Sequence, residues 1–150
     1  RRPRAWNQWP EISWRDPRSP GHLGDVPHTW IGAEWVLAVL SLFAYEHPTH
    51  ESLVLAAGIR PAWLDGGAEV SVENLPTWYG SLFYTLSRVG DDAVQLSLSG
   101  DIEMPPGGIV VCSPLPRPIV RVVADGRDVV DFEATSARLD RRAASVILHH

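Results

Sequence analysis

The chain has 150 residues, of which 45% are hydrophobic and 21% are charged, and its formal net charge is −5. These values are typical of a folded protein and exclude global disorder, because disordered chains are poor in apolar residues. All 13 basic residues are Arg, and no basic run follows the one formed by Arg1, Arg2 and Arg4. Without a basic patch we expect no nucleic-acid partner.

The sequence offers few residues for redox chemistry or metal binding and few for membrane insertion. The single cysteine, Cys112, lies in the apolar run GGIVVCSP, so we interpret it as a small core residue. His47 and His50 stand three apart without a further clustered ligand, and we interpret both as solvated side chains. We therefore predict no metal and no cofactor. The longest apolar run, WVLAVLSLFAY, is shorter than the roughly 20 residues of a membrane-spanning helix, so we expect no membrane association.

The first 28 residues contain five prolines and two glycines, which predicts an irregular loop. Their tryptophans argue against a disordered linker, because such linkers are poor in aromatic residues. The next segment, TWIGAEWVLAVLSLFAYE at residues 29–46, predicts a helix. Asp25 or Thr29 is the expected capping residue, and Pro27 suits a helix start.

This predicted helix is apolar nearly all round from Trp35 to Tyr45. A helix with so little polar surface is expected to be buried on several sides. The remaining chain offers little helix to surround it, so we expect its neighbours to lie in a part of the protein outside these 150 residues.

From residue 51 onward apolar and polar residues alternate, which predicts strands. The predicted strands are ESLVLAAGI, AEVSVENL, TWYGSLFYTLSRV, AVQLSLSG, GGIVVCS, PIVRVVA, DVVDFEA and ASVILHH, with a short turn of helix or loop in RPAWLDG. GDD at 90–92 and DGR at 125–127 are expected hairpin turns. Seven or eight such strands indicate an antiparallel β-sandwich. The predicted fold class is therefore α+β, with a loop and a buried helix in residues 1–50 and the sandwich in residues 51–150.

The stretch AWNQWPEISWRDP places Trp6, Trp9 and Trp14 around one carboxylate, Glu11. Two interpretations are open. The indoles pack the loop onto a core while Glu11 faces water, or they line a sugar-binding cleft in which Glu11 transfers a proton. Indole rings stack on the C–H faces of sugars, and cleavage of a glycosidic bond usually needs two carboxyl groups. Trp63 and Trp78, in the strand region, are interpreted as core or interdomain packing.

The segment WNQWPEISWRDPRSPGHLGDVPHTWIGAEWVLAVL, followed by predicted strands, resembles the end of an (α/α)6-barrel glycoside hydrolase of the six-hairpin glycosidase group. The most specific parts are WPE at 9–11 and GDVPHTW at 24–30. Bacterial members carry similar elements before an all-β domain, and glucoamylase-like families place a general-base Glu in a comparable loop. The resemblance covers the whole chain.

The resemblance implies that Glu11 is the general base and that Trp9, Asp25, His28 and Trp30 are cleft residues. It also implies a carbohydrate substrate and the remainder of the barrel as partners. The other catalytic acid is expected in preceding barrel helices, and the nearby acids that could replace it are Asp16, Asp25 and Glu34. Without the barrel, the isolated chain is expected to be inactive.

Several alternatives stay open. His28 is favoured as a hydrogen-bonding residue at the helix start over a proton shuttle, because a cation is disfavoured there. The sandwich could instead be a non-catalytic module for carbohydrate binding or interdomain packing. The chain begins with Arg1 and has one methionine, Met104, so we expect the natural start to be missing. A signal segment would be lost with it, which leaves cytoplasm and export as alternatives.

Overall fold

The computed structural model describes residues 8–19 and 22–150. The chain divides into two compact units, the first ending at Leu40 and the second comprising Ser41–His150. The division falls ten residues before the one expected from the sequence, because residues 44–47 form a strand that pairs within the second unit. The regular structure of the second unit is mainly β-sheet.

The helix of the first unit, α1, spans Thr29–Leu40 and is shorter than predicted. The sequence predicts helix as far as residue 46, but Ala44–His47 forms strand β1. Two backbone hydrogen bonds mark the change: Ala56 N donates to Phe43 O at 2.8 Å, and Gly58 N donates to Leu42 O at 2.9 Å. Pairing with a neighbouring strand therefore overrides the helical pattern, in a stretch whose aromatic residues also favour strand.

Ten strands and one 3-10 segment make up the regular structure of the second unit. The strands are β1 Ala44–His47, β2 Ser52–Leu55, β3 Glu69–Thr77, β4 Gly80–Val89, β5 Ala93–Ser99, β6 Ile109–Cys112, β7 Arg121–Ala124, β8 Arg127–Val129, β9 Ser136–Leu139 and β10 Ser145–His149. The 3-10 segment, Pro61–Gly67, confirms the predicted turn of helix in RPAWLDG. The sequence predicts all of these strands except β1 and β9.

The larger sheet has the order β3-β4-β5-β10-β7-β8, and every neighbouring pair in it is antiparallel. Both predicted hairpins are present in it: β4 with β5 and β7 with β8. The hairpin turns confirm the two turn signals read from the sequence.

The smaller sheet has the order β1-β2-β6-β9 and is mixed. Strands β2 and β6 run parallel, which corrects the prediction of an entirely antiparallel fold. A parallel pair needs a long connection, and here that connection contains β3, β4 and β5 of the other sheet. Two sheets in this arrangement are compatible with a β-sandwich.

Alternating burial along the strands forms the core of the second unit. Leu82, Tyr84 and Leu86 are buried on β4, while the residues between them are half-buried. The Tyr84 hydroxyl donates a hydrogen bond to the Phe43 carbonyl at 2.9 Å, so this buried polar group is satisfied. The alternation predicted from the sequence is thus confirmed on this strand.

The two tryptophans of the strand region are less buried than the sequence predicts. Trp78 is 74% exposed, so its interpretation as a core residue is wrong. It lies in the turn between β3 and β4, where its backbone N–H donates to the Glu46 carboxylate at 2.8 Å. Trp63 is also partly exposed, with its ring centroid 6.1 Å from that of Phe43.

Candidate functional site

Backbone hydrogen bonds join residues 9–14 to residues 22–28 in the first unit. Glu11 N donates to Asp25 O at 3.1 Å, Gly24 N to Ile12 O at 2.8 Å, and Trp14 N to His22 O at 2.9 Å. Farther along, His28 N donates to Trp9 O at 2.9 Å. The two motifs that carry the resemblance, WPE and GDVPHTW, are therefore neighbours. We call these two facing segments the opening ladder.

A glycine allows the two segments of the opening ladder to approach closely. A Cβ atom at Gly24 would lie 3.1 Å from the backbone nitrogen of Ile12 and 3.5 Å from the Cβ of Glu11. Since the first distance is tighter than ordinary van der Waals contact, a larger residue would require the neighbouring backbone to shift by a few tenths of an ångström. Close packing between the two segments therefore explains why a glycine occupies this position of the GDVPHTW motif.

Glu11 is exposed, and Asp25 lies opposite it on the facing segment. Within residues 8–19 and 22–150, the structure gives the Glu11 carboxylate no ion pair or side-chain hydrogen bond. The position therefore offers a solvent-accessible carboxylate.

The four tryptophans predicted to bind sugar have different surroundings. Trp9 is half-buried, and its ring centroid is 5.9 Å from that of Trp35 in α1 at an interplanar angle of 30°. Trp14 is exposed, and Trp30 is 70% exposed. Trp6 lies outside the described residues. Trp9 thus packs in part against the helix, while Trp14 and Trp30 present their rings to solvent.

His28 occupies the position immediately before α1. Its Nδ1 atom accepts a hydrogen bond from the Ile31 backbone N–H at 3.4 Å, which is the pattern of a helix cap. The expectation that Asp25 or Thr29 caps the helix is therefore wrong. The helix-start hydrogen bond favoured for His28 is present.

The two other acids near Glu11 are already engaged. Asp16 accepts hydrogen bonds from the Arg18 guanidinium at 3.2 Å and from the Arg18 backbone N–H at 3.0 Å. These bonds hold the pKa of the Asp16 carboxyl below its ordinary value, the guanidinium being the larger cause. Glu34 accepts a hydrogen bond from the Trp30 indole N–H at 3.1 Å. The four-residue spacing of Trp30 and Glu34 on a helix is a signal that sequence reading could have used.

Helix α1 contains no buried residue, although its sequence predicts burial on several sides. Its apolar side chains Trp35, Val36 and Leu37 are exposed, Leu37 by 60%. Exposed apolar side chains of this kind favour a contact with another protein segment or a ligand. Within the first unit, the Trp9 ring lies beside Trp35 and leaves Leu37 exposed.

Metal-binding potential is limited in the residues that the structure describes. His47 and His50 stack with ring centroids 4.4 Å apart, and His47 Nδ1 accepts a hydrogen bond from the His50 backbone N–H at 3.3 Å. Across residues 8–19 and 22–150, no group of three or more His, Cys, Asp or Glu side chains gathers. Over the same residues, no helix has the length and apolar character needed to cross a membrane.

Comparisons of the chain with protein-family models, with curated proteins and with solved structures find no match. A function is therefore inferred from the residues and their geometry.

Proposed function

We propose that this chain is the C-terminal part of a glycoside hydrolase that cleaves O-glycosidic bonds of a carbohydrate. In this proposal α1 belongs to the end of an (α/α)6 barrel, the second unit is the β-sandwich that follows it, and Glu11 is the general base. The observation that carries the proposal is the opening ladder, which brings the WPE and GDVPHTW motifs together at the start of an exposed apolar helix.

The proposed chemistry assigns one proton transfer to Glu11. Its carboxylate accepts a proton from water while the water oxygen attacks the anomeric carbon, and a second carboxylic acid protonates the departing glycosidic oxygen. A base needs an accessible, charged oxygen. The exposure of Glu11 and the lack of an ion-pair partner among the described residues support this role.

The second acid is proposed to come from the remainder of the barrel. Asp16 is unsuited to donate a proton near neutral pH, because Arg18 lowers the pKa of its carboxyl. The carboxylate of Glu34 accepts the Trp30 indole N–H. Asp16 is thus not available as a protonated donor.

The aromatic side chains supply the proposed sugar contacts. Trp14 and Trp30 have exposed rings that can stack on the C–H face of a sugar, and their indole N–H groups donate only. The Trp30 N–H is held by Glu34, which fixes the orientation of the ring for stacking. Trp9, Asp25 and His28 complete the proposed cleft, and Trp6, which lies outside the described residues, is proposed as a further sugar contact.

The test is turnover by the protein that contains this chain together with its barrel, on a panel of 4-nitrophenyl glycosides and neutral oligosaccharides. We expect Glu11→Gln to lower kcat by about 10²–10⁴-fold with little change in KM, because it removes the base and leaves the sugar contacts.

Asp16→Asn is the matched control, since it neutralises an acid in the same loop whose carboxylate is engaged by Arg18. Its turnover should stay close to that of the unmodified protein. Circular dichroism checks that both variants keep their fold. Unchanged turnover in Glu11→Gln removes Glu11 from the mechanism and overturns the proposal.

A further inference from the structure

A shallow groove crosses the outer face of the larger sheet in the second unit. Its volume is about 320 Å³, and it lies across β3, β4 and β5. The lining residues are Ser71, Val72, Glu73, Phe83, Tyr84, Thr85, Ser97, Leu98 and Ser99. Val72, Tyr84 and Leu98 are buried towards the core, so the groove takes its chemistry from the other six.

Hydroxyl groups form a row across the floor of this groove. Ser71 pairs with Thr85, and Thr85 pairs with Ser97 in the strand register. Ser97 in turn pairs with Ser145 on β10. Paired residues share one face of a sheet, and neighbouring strands are about 4.8 Å apart. The row therefore offers hydrogen-bond donors and acceptors at a regular spacing, since each hydroxyl can act as either.

An aromatic ring and a carboxylate border the row. Phe83 is half-buried and pairs with Ser99. Gly100 makes room for its ring, because a Cβ there would lie 2.9 Å from Phe83 Cδ2. Glu73 is exposed and lies 3.5 Å from the Ser71 hydroxyl, which donates to it. The Phe83 ring can stack on the C–H groups of a sugar. The hydroxyl row and the Glu73 carboxylate can form hydrogen bonds with the hydroxyl groups of the same sugar.

The residues that line the groove favour some classes of ligand over others. None of the nine lining residues is basic, which disfavours phosphates and nucleic acids. A peptide that adds as a strand would pair with the open edge of β3 rather than lie in the groove, which runs over the face of the sheet where β4 and β5 have their backbone groups paired on both sides. The groove also has one carboxylate, which disfavours an acidic ligand.

We propose that this groove is a binding site for a neutral oligosaccharide, which stacks on Phe83 and hydrogen-bonds to Thr85, Ser97 and Glu73. The site belongs to the second unit alone. It does not depend on Glu11 or on α1, so it stands or falls separately from the proposed hydrolysis.

The test is titration of the 150-residue chain with maltohexaose, cellohexaose and xylohexaose, followed by amide NMR and calorimetry. Hexagalacturonate is the anionic comparison. We expect one or more neutral probes to shift the amides of β3, β4 and β5. The double variant Thr85→Val/Ser97→Ala should weaken binding by about tenfold or more, because two hydrogen bonds are lost while the shape is kept. Phe83→Ala, and Phe83→Leu as the variant that retains apolar bulk, should weaken binding to a similar extent.

Ser87→Ala is the matched control: Ser87 lies on β4, two residues beyond Thr85 and outside the groove lining. It should leave affinity within about twofold. The proposal is overturned when no neutral probe binds at about 10 mM, when hexagalacturonate binds more tightly than every neutral probe, or when affinity survives the groove variants.

Discussion

Asp16 and Arg18 form a local pair on the exposed part of the opening loop, and the pair makes a prediction at the residue scale. The guanidinium and the backbone N–H of Arg18 lower the pKa of the Asp16 carboxyl. A lowered folded-state pKa contributes stability above the unfolded-state value and loses it as pH falls through the folded-state value, so the effect belongs to the acid range. We expect Arg18→Ala to raise the Asp16 pKa towards its ordinary 3.8, as measured by carboxyl NMR titration.

Arg121→Ala is the control for this titration, because Arg121 pairs with Asp128 in the second unit. It should leave the Asp16 titration unchanged. An Asp16 pKa that does not respond to Arg18→Ala would show that the pair does not form in solution.

Tyr84 carries the second residue-scale prediction. Its ring is buried, and its hydroxyl donates to Phe43 O, which also accepts the Ala56 N–H. Because the carbonyl keeps one partner, we expect Tyr84→Phe to lower the free energy of unfolding by only about 0.5–1.5 kcal/mol in urea. Burial raises the pKa of the Tyr84 phenol well above its usual 10. Stability should therefore fall above pH 10, where the unfolded phenol ionises first, and Tyr84→Phe should remove that loss.

The exposed Tyr45 on β1 provides the control, since Tyr45→Phe should change stability by less than about 0.5 kcal/mol. A Tyr84→Phe protein with the same alkaline profile as the unmodified chain would refute the assignment of that loss to Tyr84.

At the scale of secondary-structure elements, truncating one leucine in the helix and one in the sheet tests how well each element is packed. Leu37 in α1 is 60% exposed, whereas Leu96 on β5 is 1% exposed. We expect Leu96→Ala to lower the unfolding free energy by about 2–5 kcal/mol, because it leaves a cavity in the core. Leu37→Ala in the same chain should change it by less than about 0.5 kcal/mol. Urea unfolding followed by circular dichroism measures both, and a large loss in Leu37→Ala would mean that the helix is packed in the chain itself.

The same elements show what the sequence could predict. Hairpins such as β4–β5 were predictable because turn signals and strict alternation are local properties. Strand β1 was not, because its pairing with β2 is a tertiary contact that overrides an apolar run of helical character. The parallel alignment of β2 with β6 was also not predictable, since it depends on how a long connection returns to the sheet.

The opening ladder at the candidate site was likewise only partly predictable from the sequence. Sequence pattern singled out its two motifs, and the hydrogen bond of His28 at the helix start followed from its position. The hydrogen bond between Trp30 and Glu34 could have been predicted, because residues four apart on a helix are neighbours. The hydroxyl row of the groove could not be predicted from the sequence, because Ser71, Thr85 and Ser97 become neighbours only through strand register.

For the whole molecule, the two units contrast in how they bury apolar residues. The second unit buries alternate residues of its strands, while α1 buries none of its residues. An apolar helix without cover is costly in water, at roughly 25 cal/mol for each Å² of apolar surface. The proposed barrel accounts for this contrast, because neighbouring helices would cover α1 and hold the opening ladder beside the sugar.

The most direct test of this account is covalent labelling of α1 side chains by a photoactivated diazirine, quantified by mass spectrometry. The 150-residue chain is compared with the protein isolated from its natural source. Val130, which is 92% exposed in the second unit, is the internal reference. We predict that labelling of Trp35 and Leu37 falls severalfold relative to Val130 in the natural protein, because helices of the proposed barrel would cover this part of α1. Equal labelling in both samples would contradict the account.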